Sequence, residues 1–275
     1  MTSLGQPERA TQDRVINLFR DELDYRYLGD WSDRDGNSNI EESLLSAWLN
    51  KCGYMPMQIN AALHKLRSEA GNHSRALYGN NQAVYNLLRY GVPVKIEAGK
   101  VTETVHLIDW REPEQNDFAI AEEVTLKGNR ERRPDIVLYV NGIAIGVLEL
   151  KNSRVSIGDG IRQNLSNQQP EFNAWFFCTV QFIFAGNDSE GLRYGAIETP
   201  EKFFLKWKED EADNSLFKLD KYLYKMCRKD RLIELMVTTR PRRLSGRRRD
   251  CSRRPPTPPG IRFRTTAVHV KRMSR

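Results

Sequence analysis

Three side chains in the segment RRPDIVLYVNGIAIGVLELKNS, residues 132–153, have the types and spacing to do chemistry. Asp135 follows a proline and opens one apolar run, Asn141-Gly142 supplies a turn signal, and a second apolar run closes on Glu149-Leu150-Lys151. Residues two apart on a strand share a face, so Glu149 and Lys151 point together while Leu150 points into the packed side. Two carboxylates and an ammonium then converge at one sheet edge. That set suits phosphodiester hydrolysis: acidic oxygens hold Mg²⁺, the metal polarises the phosphate and helps to form hydroxide, and the lysine orients water or stabilises added charge. Mg²⁺ keeps several of its own waters, so Asp135, Glu149 and one backbone carbonyl, that of Leu150, make an adequate protein share. The plainer reading, that these charges are solvated strand caps, has to contend with the runs themselves. Both are nearly all apolar, which implies burial on both faces, and a buried sheet ending in Asp, Glu and Lys must pair or coordinate them.

The site also dictates a register. A regular two-residue hairpin at Asn141-Gly142 pairs Val140 with Ile143 and sets Asp135 opposite Leu148, which turns Glu149 to the other face. Convergence of the two carboxylates therefore requires one extra residue on the arm from Gly142 to Glu149, as a three-residue loop or as a bulge. Alternatively, Asp135 bends inward ahead of regular pairing, where Pro134 has no ladder N–H to lose.

The elements around this hairpin change character along the chain. Helical spacing of apolar residues covers Glu8–Leu23, Ile40–Lys51, Met57–Ala70 and about Asn80–Arg89, with Tyr25–Trp31 as a short strand between the first two. From Gly91 the period falls to two, and strands are expected at Val101–Trp110, Ala119–Leu126, Ile136–Val140, Ile143–Leu150, Trp175–Ala185 and Leu192–Ile197. Gly158–Gln169 reads as a helix crossing back over the sheet, and Lys202–Met236 returns to helical character. The expected fold is α/β (α+β): a helical part over about residues 1–91, a mixed sheet flanked by helices over about 92–200, and a helical linker over about 201–236.

Composition narrows the partners. The net charge of +7 is carried by the end of the chain, where residues 237–275 hold twelve arginines and one lysine against Asp250 and the preceding 236 residues sum to −5. Basicity is thus a property of a tail rich in arginine and proline, expected to be disordered or read out of frame. Its functional alternative is a basic nucleic-acid arm. Cys52, Cys178, Cys227 and Cys251 lack metal-ligand spacing, which argues against zinc and disulfides. No apolar stretch is long enough to span a membrane, and the first residues lack a secretory pattern, so the cytoplasm is the default.

Asp135, Glu149 and Lys151 match the PD…ExK nuclease motif, and the chain resembles the R subunits of type I restriction endonucleases well beyond it. The likeness runs through TQDRVINLFRDELDYRYLGDW, LYGNNQAVYNLLRYGVPV and EFNAWFFCTVQFIFAGNDSEGLRYGAIETPEKFFLKWKE, over roughly residues 8–236. The resemblance implies a PD-(D/E)xK restriction-endonuclease-like fold, Mg²⁺-dependent cleavage of unmodified duplex DNA, and methyltransferase and specificity subunits as partners. It adds Gln163, from a Q-x-x-x-Y pattern in which Asn167 stands where the tyrosine is usual, and Glu8 as an acidic group from the first helix. Family members continue into ATP-hydrolysing motor domains, but GxxxxGK[ST] is absent here, so ATP is expected only for the full-length relatives, and the chain reads as truncated before the motors. Two other functions compete: a catalytically silent remnant, and a DNA-binding module without chemistry that works through its basic tail.

Overall fold

A computed structural model describes residues 8–96, 101–128, 130–207 and 217–238. At the centre is a seven-stranded mixed sheet in the order β1-β4-β5-β6-β7-β8-β9, built from Arg26–Asp30, Phe118–Glu122, Ile136–Val140, Ile143–Leu150, Phe182–Asn187, Gly191–Gly195 and Leu205–Lys206. β1 is parallel to β4 and β6 to β7, while the other neighbours are antiparallel. Parallel neighbours need a crossover. For β6 and β7 it is provided by helix α5, Ile157–Asn167, whose N-terminal Gly158 N–H is capped by the Ser156 hydroxyl at 3.2 Å. The other strands, β2 (Val92–Val94) and β3 (Glu103–Val105), form a separate two-stranded sheet.

Alternation along β5 sorts its residues into two cores. Ile136, Leu138 and Val140 join the larger one, with α1 (Glu8–Asn17), α2 (Glu42–Lys51), α3 (Pro56–Ala70), α4 (Leu77–Tyr90), α6 (Lys218–Cys227) and α7 (Lys229–Thr238). Val137 and Tyr139 join the smaller one, which Ile157 and Ile161 of α5 cover from the opposite face. The mixed sheet flanked by helices, with a helical N-terminal part, is the architecture expected from the sequence.

Several elements are shorter than their periodicity suggests. α1 ends at Asn17 and widens into a π turn over Leu18–Glu22, closed by the Leu23 N–H on the Leu18 carbonyl at 3.1 Å. Of Val101–Trp110 only three residues pair, and they do so outside the main sheet. Trp175–Ala185 becomes a 3₁₀ turn over Phe176–Cys178 followed by β7, because an apolar run is buried equally well in either form. Lys202–Met236 holds a 3₁₀ turn and β9 before its helices, and α7 runs two residues into the expected tail, whose remainder lies outside the described residues. Among the described residues the cysteines are free thiols, and no helix is long and apolar enough to cross a membrane.

Candidate active site

The hairpin that carries the site is fixed at its turn. Asn141 and Gly142 have φ of +53° and +79°, the left-handed pair that a tight two-residue turn demands. Asn141 tolerates this because its buried side chain is fully engaged: Oδ1 accepts from Asp117 N–H at 2.7 Å, and Nδ2 donates to Leu107 O at 2.9 Å and Asn116 Oδ1 at 2.8 Å. Gly142 is pressed against α2, where a β-carbon would lie 2.8 Å from the Glu41 carbonyl.

Pairing starts regularly, Val140 with Ile143 and Tyr139 with Ala144, and then slips by one, so that Leu138 meets Gly146 and Ile136 meets Leu148. Ile145 is the extra residue, and this bulge is the device the carboxylate pair requires. Ile145 and Gly146 both turn toward the larger core, a crowding that Gly146 relieves by having no side chain against Phe184 and Leu138. Regular pairing ends at Ile136 with Leu148, and Asp135, a bend just ahead of β5, reaches the second arm through its carboxylate on the Leu150 N–H, beside Glu149.

Glu149 is fully buried; no N–H or hydroxyl among the described residues donates to its oxygens, and its polar neighbours are the Asp135 carboxyl and the Lys151 ammonium. Burial, then the Asp135 charge beside it, pushes its carboxyl well above the usual range. Asp135 is partly buried, and its Oδ2 accepts from the Leu150 N–H at 2.6 Å. Burial raises it to about 6 against the opposing pull of that bond and of Lys151. Lys151 continues the ladder through its N–H on the Gly186 carbonyl at 2.9 Å. Its ammonium lies 3.2 Å from Glu8 Oε1 and 3.9 Å from Glu149 Oε2. Burial works against the charged amine, but the carboxylates of Asp135, Glu149 and Glu8 outweigh it and hold the lysine above its ordinary value.

The structure therefore brings Asp135, Glu149, Leu150, Lys151 and Glu8 together. Leu150 contributes through its N–H, which fixes the Asp135 carboxylate. Gln163 stands three residues beyond Gly160, the point where α5 rests on Glu149 and Lys151; a β-carbon at Gly160 would be 3.6 Å and 3.4 Å from their side chains. Gln163 is half-buried, and no hydrogen bond joins it to the other site residues. Asn167 is wholly buried with both amide atoms unpartnered. Among the described residues no three His, Cys, Asp or Glu side chains gather as a ready-made metal cage.

A second layer escaped the sequence reading. Gln12, buried on α1 one turn beyond Glu8, places Nε2 3.0 Å from both Glu122 Oε2 and Glu123 Oε1, and 3.5 Å from the Asp135 carbonyl. Arg9 pairs with Glu122 at 2.9 Å and Arg133 with Glu123 at 2.9 Å. The signal was available: Gln12 is a polar residue on the buried stripe of α1, and Glu122-Glu123 ends an apolar strand just as Glu149 does. α1 is held over the site by Arg14, which bridges Asp188 in the β7–β8 turn and Asp220 of α6, the latter at 2.8 Å.

The family model described as type I restriction enzyme R protein N terminus matches residues 5–202. Curated relatives agree with it. The chain is 27% identical over 148 residues to a Methanocaldococcus jannaschii protein named as the MjaVIIIP endonuclease subunit of a type I restriction enzyme, a match covering 50% of this chain and 14% of that protein. It is 27% identical over 145 residues to the endonuclease subunit of the Haemophilus influenzae type I restriction enzyme HindI, again 50% and 14%. A further M. jannaschii relative, named for MjaVIIP, reaches 35% over 106 residues, 38% of this chain and 10% of that protein. The chain thus spans a small fraction of these subunits, and the part it spans makes it a member of the type I restriction enzyme R protein N-terminal family.

Proposed function

We propose that this chain is a Mg²⁺-dependent endonuclease domain that hydrolyses phosphodiester bonds of duplex DNA. The observation that carries the reading is the Glu149 carboxylate, enclosed beside Asp135 with no described N–H or hydroxyl donating to either oxygen and an ammonium 3.9 Å away. A buried carboxyl without hydrogen-bond donors is costly to ionise, and in native proteins such groups hold a proton, are paired or coordinate metals. Hard carboxylate oxygens fit Mg²⁺, which accepts one or two carboxylates and keeps waters for the rest. Asp135, Glu149 and the Leu150 carbonyl would hold the ion, which when bound supplies Lewis acidity and a more acidic water.

The chain's own residues do the remainder. The Leu150 N–H fixes the Asp135 carboxylate, and Glu8 holds the Lys151 ammonium beside Glu149, where it meets phosphate charge or orients water. Gln163, three residues beyond Gly160 on α5, is assigned to the same site from the family pattern. We propose duplex DNA, methyltransferase and specificity subunits, and an ATP-driven motor as this chain's wider assembly, a reading supported by its membership of the family. The step proposed for these residues is hydrolysis of the phosphodiester, which draws on no nucleotide at this site.

The test is nicking of supercoiled plasmid by the purified chain with Mg²⁺ or Mn²⁺, beside Glu149→Ala, Asp135→Ala and Lys151→Ala and with calorimetric titration of the metal. Nicking is lost in all three variants, while metal affinity falls for Asp135→Ala and is largely kept for Lys151→Ala. Equal metal affinity in wild type and Asp135→Ala would sink the assignment. Salt-sensitive DNA binding unaffected by Glu149→Ala, with no nicking by the wild type, would favour a module without chemistry.

A further inference from the structure

The arms of β4 and β5 stay together beyond their last regular rung. The Glu123 N–H donates to the Asp135 carbonyl at 2.9 Å, the Val124 N–H to Pro134 O at 3.1 Å, and Leu126 and Arg132 exchange both backbone bonds, at 2.7 and 3.2 Å. This ribbon docks on the segment that follows α5. Asn173 Nδ2 donates to Leu126 O at 3.3 Å, and Gly128 comes so close to Phe172 that a β-carbon there would lie 2.9 Å from its carbonyl oxygen. On that platform the Arg132 guanidinium sits 4.1 Å from the centre of the Phe172 ring, and that of Arg130 sits 5.7 Å from it.

Neither guanidinium has a carboxylate partner among the described residues, and Arg132 Nε is buried without any partner. Several other arginines are different: Arg9, Arg34, Arg75, Arg133 and Arg162 each meet an acidic side chain at 2.9 Å or less. Two unneutralised guanidinium groups fixed on one ring repel each other and call for an anion. Their fork of donors matches phosphate geometry, and stacking on an aromatic face sets its plane.

We infer that Arg130 and Arg132 are backbone-phosphate contacts for a duplex DNA lying across Asp135 and Glu149, an inference that takes the duplex's position from the nuclease reading. At about 3.3 Å per residue of extended chain, three residues put Arg132 within about 10 Å of Asp135. Successive phosphates advance about 3.4 Å along the axis of one strand, so the contact falls a few phosphates from the bond to be cut. Such contacts set register and orientation and read no sequence.

The experiment is binding of the full chain to a short synthetic duplex in EDTA, across a salt series, for wild type, Arg130→Ala/Arg132→Ala, and a control Lys51→Ala/Arg67→Ala on α2 and α3. Loss of two phosphate contacts lowers the slope of log K against log salt by about 2 and weakens binding more than about tenfold at low salt. The control changes neither. Arg130→Ala alone, at an exposed position, gives half the change in slope and keeps the test decisive if the double variant is unstable. An unchanged slope, an equal loss in the control, or no duplex binding by the wild type overturns the inference. The two readings separate cleanly: nicking with an unchanged slope in the double variant refutes the phosphate contacts alone, whereas arginine-dependent binding without nicking refutes the nuclease alone.

Discussion

At the scale of single residues, two buried carboxyls store free energy in the site. Glu149 and Asp135 both have carboxyls raised by burial, Asp135 to about 6. A carboxyl that binds its proton more tightly when folded makes the folded state hold more protons, so stability is fully present at low pH and is lost as pH rises. For Asp135 the window opens near the unfolded value of about 3.9 and closes near the folded one. For Glu149 the loss continues to higher pH. In EDTA, Asp135→Asn and Glu149→Gln should therefore be more stable than wild type at neutral pH, each by about 1–3 kcal/mol, the scale of an unsatisfied buried polar group. The amide oxygen of Asp135→Asn can still accept from Leu150. Melting temperatures from pH 4 to 8 check this: the advantage of Asp135→Asn grows up to about pH 6 and then levels off, and on the proposed metal-binding reading added Mg²⁺ removes it. A wild type that is more stable than both variants throughout would mean that the two carboxylates are already compensated.

Register is decided one level up, in the hairpin. Asn-Gly announced the two-residue turn, and the chemistry demanded one extra residue on the second arm, yet whether that residue lay in the loop or in a bulge was not written in the pattern. Gly146 was the cue, since a glycine inside an apolar strand marks a bulge or a close approach. Elsewhere legibility failed for a different reason. Phe176-Phe177-Cys178 is buried as a 3₁₀ turn, and burial on all sides erases the period that separates strand from turn. The second layer was missed because Gln12 and Glu122 are far apart in sequence and only the placement of α1 over the end of β4 joins them. The turn gives the test at this scale. Gly142→Ala meets two penalties at once, a φ of +79° and a β-carbon 2.7–2.8 Å from Leu44 Cβ, the Glu41 carbonyl and the Leu45 nitrogen. It should cost about 1–3 kcal/mol in urea unfolding, because backbone strain and overpacking are both of that order. Nicking should fall further than stability does, because the turn anchors the register that brings Asp135 beside Glu149. A neutral Gly142→Ala would show that α2 yields without consequence for the hairpin.

On the scale of the whole molecule, the support of the site reaches past the matched family region, which ends at residue 202. Leu219, Tyr222, Leu223 and Met226 of α6 and Leu232, Ile233 and Met236 of α7 are buried in the larger core, and Tyr25 and Tyr85 donate to the Cys227 and Met236 carbonyls at 2.7 and 3.1 Å. α6 also backs the neighbouring strands: a β-carbon on Gly186 of β7, whose carbonyl accepts the Lys151 N–H, would collide with Leu219, and one on Gly191 of β8 with Tyr222. At about 1.5–3 kcal/mol for each buried side chain, the seven contribute about 10–20 kcal/mol as an upper estimate. A whole domain is stable by only about 5–15 kcal/mol. A chain ended after Trp207 should therefore fail to fold, although it retains every residue of the candidate site. A chain ended after Thr238 should melt at the wild-type temperature. The residues it drops are arginine- and proline-rich with few apolar side chains, a composition that brings little apolar burial to set against an ordering cost of about 1–2 kcal/mol per residue. Circular dichroism melts of the two truncations decide the matter. A cooperative transition and nicking in the shorter chain would show α6 and α7 to be passengers, and a clear drop in melting temperature for the longer one would show that residues 239–275 pack against the fold.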